Sequence, residues 1–242
     1  MEINRPAIKA DARQAMLQAK PNVFWFTLLY IVVSYILSTL SMRLTGTDSG
    51  AFMELIESAE EPTGYAMQYA EMSPLRMLLF LAIDLMSITV SAGFLFYCLC
   101  ASRRIACGYG TLLDGFSIFF RLIALELLMG VFIILWSLLL IVPGIIAAYR
   151  YRLAIYLLFD HPEYSPLECI RISKKLMQGR KMELFMLDLS TIGWRLLGLI
   201  PLTNLYISPY LNITYCNYYN AVRSMHSEIP LPAWISEPPS EE

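Results

Sequence analysis

The sequence predicts an all-α, polytopic membrane protein: a transmembrane helical bundle of about six spans with one amphipathic helix along its cytoplasmic face. Three observations carry this. Of the 242 residues, 57% are hydrophobic and only 16% charged, against about 25% charged in an ordinary soluble domain. The mean hydropathy is +0.54, which implies more apolar surface than one or two small cores can hide. The apolar residues also come in runs close to the roughly 20 that an α-helix needs to cross a bilayer core of about 30 Å. A formal net charge of −2 leaves no basic excess to meet phosphates, which excludes a nucleic-acid partner. Disorder and a collagen-like repeat are excluded by composition.

The elements follow in order. A helix-like leader carries Arg5, Lys9, Arg13 and Lys20 and runs into the first span, 21–41. A cleaved signal peptide is the rival reading; the length of the leader and the lack of an A-x-A site argue against it. Further spans are 74–101, 117–141, 144–160, 182–200 and 202–222. The stretch Leu122–Tyr149 is too long for one span, and Val142-Pro143-Gly144 breaks it, because proline cannot continue the hydrogen-bond ladder and glycine permits a turn. Ile200-Pro201-Leu202 separates the last pair in the same way. Five spans, with the final segment in the interface, is the alternative count. Residues 1–223 form one transmembrane domain. Residues 224–242, rich in proline and glutamate, form an extended cytoplasmic tail. In it, Trp234 is either an interface anchor or an incidental exposed aromatic.

Lys and Arg placement orients the chain. Most of the 18 basic residues fall in the leader, in the 102–121 connection with Arg103, Arg104 and Arg121, and in the 161–181 connection. The long 42–73 loop instead carries Asp48, Glu54, Glu57, Glu60, Glu61 and Glu71. Both termini are therefore expected in the cytoplasm and the acidic loop outside.

Ser165-Pro166-Leu167-Glu168 is a capping box with proline at the first helical position, and Gly179 is a stop. Within 165–178, Cys169, Ile170, Ile172, Leu176 and Met177 share one side of a helical wheel, and Arg171, Lys175 and Gln178 the other. With Lys174, Arg180 and Lys181 nearby, this helix is expected on the anionic leaflet as a lipid-facing basic element. A plain positive-inside connector explains the same residues. The order basic connector, span, proline turn, span occurs twice, which suggests a faint parallel repeat.

Six ionisable side chains fall inside the expected spans: Asp84, Glu126, Arg150, Arg152, Asp188 and Arg195. Each costs a few kcal/mol in hydrocarbon, so they should face inward and pair. At about 1.5 Å per residue, Asp84, Glu126 and Arg152 come out near the midplane. A Glu126–Arg152 pair is expected, with Asp84 close by. Such a cluster is either a substrate site or proton relay, or a static ion pair that sets helix register.

Catalytic chemistry is thin. The cysteines, Cys98, Cys100, Cys107, Cys169 and Cys216, show neither a disulfide framework nor zinc spacing. Asp160-His161-Pro162-Glu163 offers metal-ligand residue types, but proline breaks the spacing and a turn explains it better. No G-x-S-x-G, H-E-x-x-H or P-loop pattern is present. No enzyme activity, cofactor or metal is expected.

Several short stretches carry a family likeness: Gly108-Tyr109-Gly110 with Asp114-Gly115-Phe116, Val142-Pro143-Gly144-Ile145, Tyr149-Arg150-Tyr151, Ser173-Lys174, Met177-Gln178-Gly179, Phe185, Gly193-Trp194, Pro209-Tyr210 and Tyr218-Tyr219. In these the chain resembles a family of uncharacterised bacterial integral membrane proteins, domain of unknown function 975. The resemblance implies a bacterial plasma-membrane location and a multi-helix fold, and no activity or catalytic residue. The expected function is therefore that of a non-enzymatic, multi-pass membrane component binding a membrane-protein partner or lipids. The alternative is a small-solute or lipid transporter using the midplane polar cluster.

Overall fold

Short polar side chains and prolines start the helices. Asn4 accepts the backbone N–H of Ala7 at the head of α1 (Arg5–Gln18). After α2 (Val23–Thr45), Ser73 accepts from Arg76 N–H ahead of Pro74, opening α3 (Pro74–Ser102). Such a cap satisfies one of the backbone donors that a helix start leaves unpaired, and proline there has no donor to waste. The computed structural model describes residues 4–45, 73–114, 116–198, 200–226, 229, 230 and 232. Most of the acidic loop and of the tail, Trp234 included, lie outside them. All regular structure among the described residues is helical.

The remaining helices are α4 (Thr111–Asp114), α5 (Phe119–Leu139), α6 (Ile141–Tyr151), α7 (Ala154–Asp160), α8 (Pro166–Leu176), α9 (Lys181–Leu197) and α10 (Pro201–Ser224). The break between the third and fourth expected spans falls at Leu140, whose backbone is extended (φ −162°, ψ 145°), not at Val142-Pro143-Gly144. Pro143 sits in the first turn of α6, where its missing N–H costs nothing. Gly144 lets the two arms close: a Cβ there would lie 2.9 Å from the Cα of Ser137.

Among the described residues, four helices are long and apolar enough to cross a membrane: Val23–Leu44, Pro74–Ser102, Phe119–Leu139 and the α6–α7 unit Ile141–Asp160. The six expected spans therefore compare with four, and α9 and α10 make the difference. α2 and α3 run antiparallel, with Phe26 on Tyr97 (3.7 Å between ring centroids), Tyr30 on Phe94 (4.2 Å), and Tyr97 Oη donating to the Pro21 carbonyl (2.6 Å). The start of α2 and the end of α3 thus lie at one end of this pair. Tyr206, early in α10, contacts Phe24 (6.4 Å), and Asn220, late in α10, donates to Ser102 Oγ (3.0 Å). These two residues are about 21 Å apart along a helix, yet both meet that same end. α10 therefore crosses the end of the pair and does not run along it.

α1 completes this layer. Its apolar side, Ile8, Ala12, Ala15 and Met16, is buried. Asn217 of α10 donates to the Ile8 carbonyl (3.3 Å) and to Asp11 Oδ2 (3.0 Å), and Lys9 Nζ donates to the Ser190 carbonyl of α9 (3.1 Å). The second half of α10 is buried on nearly all sides, from Tyr210 to Arg223, and Asn217, Tyr219 and Asn220 there bond to protein groups.

Candidate functional site

The ionisable residues expected in the membrane separate into a closed cluster and an open cleft. The closed cluster centres on Asp188 of α9. Its Oδ2 accepts from Arg152 Nη1 (2.7 Å) and Tyr149 Oη (2.8 Å), and its Oδ1 from Tyr215 Oη (2.5 Å) and Arg195 Nη2 (3.3 Å). Arg195 Nη2 also donates to Tyr215 Oη (2.6 Å). Both guanidinium groups sit over the Tyr215 ring, at 4.5 and 5.7 Å from its centroid. The expected Glu126–Arg152 pair does not form. Helix rise fixes how far along its helix a residue lies, but rotation about the axis decides the partner, and it turns Arg152 toward Asp188 of α9. Arg150 is half-buried on another side of α6; its carbonyl accepts from Ser173 Oγ (2.8 Å), and its side chain forms no ion pair among the described residues.

The open cleft lies between α3 and α5. It has a volume of about 450 Å³ and is lined by Asp84, Ser87, Ser91, Leu122, Glu126 and Ile155, among others. Sequence reasoning placed Asp84 near Glu126, and the two share this cleft. Neither carboxylate makes a hydrogen bond or ion pair with any described residue. Tyr30 Oη stands 3.5 Å from Ser91 Oγ at its edge.

A second closed cluster went unread in the sequence. Asp160, the last residue of α7, has a fully buried side chain. Arg103 grips it with both nitrogens, Nη1 to Oδ1 (2.6 Å) and Nη2 to Oδ2 (2.8 Å), and Tyr219 donates to Oδ2 (2.6 Å). Arg223 approaches to 3.6 Å and donates to the Pro230 carbonyl (2.6 Å), which the His161 ring also meets at Nε2 (3.2 Å). Through its carbonyl, Pro230 of the expected tail is joined to α10 and to the turn after α7. The available signal was a lone acid ending an apolar span at the membrane face where Arg103 and Arg104 follow another.

Helix α8 keeps the cap read from sequence, with Ser165 Oγ accepting from Glu168 N–H (3.3 Å), and Gly179 adopts φ +77° at its end. Cys169, Ile170, Leu176 and Met177 are buried against protein, packed toward α5, α6 and α7. The apolar side of the helix is thus taken by the bundle. Arg171, Lys174 and Lys175 are exposed, while Arg180 pairs with Glu183 (3.3 Å) and Lys181 is half-buried. Burial, reinforced by Glu168, pushes the Cys169 thiol up to about 12, so it holds no thiolate at neutral pH. Among the described residues, no group of three or more His, Cys, Asp or Glu side chains could hold a metal ion.

Both closed clusters draw most of their residues from the second half of the chain, and this half carries the recognisable family signal. Residues 138–226 match DUF975, a protein of unknown function. The DUF975 segment takes in α6 through α10, and with them Arg152, Asp160, Asp188, Tyr215, Tyr219 and Arg223. It leaves out Arg103 and the two acids of the open cleft. No curated protein and no solved structure gives a match to the chain.

Proposed function

We propose that this chain is a non-enzymatic component of the bacterial cytoplasmic membrane that receives a cationic group of a membrane-protein partner in the cleft between α3 and α5. The observation behind this is a contrast within one molecule. Asp160 and Asp188 are saturated by arginines and tyrosines, whereas Asp84 and Glu126 stand unpaired on two of the most apolar helices. An unpaired acid among apolar helices costs free energy that a partner's Lys or Arg would recover. In this arrangement α2, α3, α5 and α6–α7 span the bilayer, and α1, α8, α9 and α10 gather on the cytoplasmic side. An even number of spans keeps both ends of the chain there, as does the clustering of basic residues. The exposed Arg171, Lys174 and Lys175 of α8 would face anionic headgroups.

The test is a photo-crosslinking residue in place of Ser87, introduced in native membranes. A discrete protein adduct, lost when Asp84→Asn and Glu126→Gln are combined, is the expected result. Adducts to lipid alone would overturn the proposal. The second reading is a small-solute transporter. It draws on the same cleft, because unpaired carboxylates beside a cavity can load and release a cation or proton. Ion flux in proteoliposomes that Glu126→Gln abolishes would put it first.

A further inference from the structure

We propose that Arg152 and Arg195 together hold a phosphate group, the most direct source being the headgroup of an anionic phospholipid. The Asp188 cluster is closed from the side of its carboxylate but not from the side of its cations. Asp188 accepts four hydrogen bonds and has no capacity left. It supplies one negative charge to two guanidinium groups, so the cluster keeps one net positive charge. A guanidinium carries five N–H donors. Arg152 uses only Nη1, and Arg195 only Nη2, on protein acceptors. The remaining donors of both meet no acceptor among the described residues. Both side chains remain partly open, 34% for Arg152 and 45% for Arg195.

The position of the pair points to the ligand. Both groups stand over the ring of Tyr215, so their free donors lie in one neighbourhood. Along α9, Met182, Phe185, Met186, Leu189, Ile192 and Leu196 are all exposed, at the three- and four-residue steps that make one continuous stripe. Arg195 stands on the flank of that stripe. An apolar stripe beside a site with excess positive charge matches a molecule with acyl chains and one anionic head. A phosphodiester brings the missing charge and paired oxygens suited to the planar guanidinium fork. A free phosphate ion would satisfy the arginines but not the stripe. The site is separate from the exposed basic residues of α8 and from the carboxylates between α3 and α5.

The experiment uses the full-length protein purified in a neutral detergent. Thermal unfolding and native mass spectrometry are followed with phosphatidylglycerol, with phosphatidylcholine, or with inorganic phosphate. Phosphatidylglycerol is expected to bind and to raise the unfolding temperature, and phosphatidylcholine is not. Arg195→Gln, which removes the more open of the two arginines, should weaken phosphatidylglycerol binding by about tenfold or more, the scale of a lost charged hydrogen bond. Lys175→Gln on α8 should leave it unchanged. Should Arg152→Gln fail to fold, Arg195→Gln and Asp188→Asn still decide, since Asp188→Asn raises the net charge of the site and should tighten binding in whatever fraction folds. A response to inorganic phosphate alone, lost in Arg195→Gln, would keep the site and reassign its ligand to a free anion. Equal binding of both lipids, or binding of phosphatidylglycerol that Arg195→Gln leaves intact, would overturn the proposal.

Discussion

Arg103 and Asp160 meet fork to fork, with hydrogen bonds of 2.6 and 2.8 Å between two side chains that are almost fully buried. This contact ties the end of α3 to the end of α7. Tyr219 and Arg223 bring α10 onto the same carboxylate. Three helices remote in sequence therefore share one buried charge.

Removing that charge should be costly. Asp160→Asn removes the carboxylate that Arg103 and Arg223, each side chain 9% exposed, share. Breaking a buried pair from one side typically costs about 3–5 kcal/mol. The expected outcome is a large drop in unfolding temperature in detergent. An unchanged transition would show that the contact does not hold the helices together.

The cleft should behave in the opposite way. Asp84 and Glu126 have no partner among the described residues, so Asp84→Asn and Glu126→Gln break no intramolecular bond and should leave the stability of the purified chain unchanged or raise it, since each removes an unpaired charge from among apolar helices. Their effect should emerge only in the presence of a bound partner. A marked loss of stability in Glu126→Gln would point back to the intramolecular pair expected from the sequence.

Gly93 is a packing position. A Cβ added there would lie 2.2 Å from the carbonyl oxygen of Leu112, and backbone cannot swing aside as a side chain can. Gly93→Ala should push α4 and its connector off α3 at a cost of about 1–3 kcal/mol. The measurement is unfolding temperature, with Gly130→Ala as control, since nothing stands within 4 Å of a Cβ there.

The Glu163 turn predicts a modest acid sensitivity. Its own backbone N–H first, and the His161 ring after it, hold the Glu163 carboxyl below its usual range. The group protonates more readily in the unfolded chain, so its contribution is full above about pH 4.3, the unfolded value, and is lost as pH falls through the folded one. The side chain is exposed, so the effect should be small. Glu163→Gln should flatten the acid limb of a stability–pH profile, and an identical limb in the variant would remove this assignment.

The local features were legible because they depend on neighbours in the chain. The caps at Ser165 and Pro166 and the stop at Gly179 need only backbone sterics and one side chain within three residues. Apolar runs such as Phe119–Leu139 announce a spanning helix from length and composition alone. That Asp84 and Glu126 lie close together was also legible, since depth follows from counting residues at a fixed rise.

Tertiary structure decided the rest. Whether Arg152 meets Glu126 or Asp188 depends on rotation about a helix axis and on which helix packs alongside, and neither is encoded in a depth count. Hydropathy reads a segment against water and does not distinguish burial in lipid from burial in protein. Hydropathy reads α10 as a further span, and the contacts of Asn217, Tyr219 and Asn220 with α1, α7 and α3 are visible only in the fold. The sequence alone determined an apolar helical membrane protein with its charges set at particular depths. Packing determined that Asp160 and Asp188 are neutralised by arginines, and that Asp84 and Glu126 share the open cleft between α3 and α5.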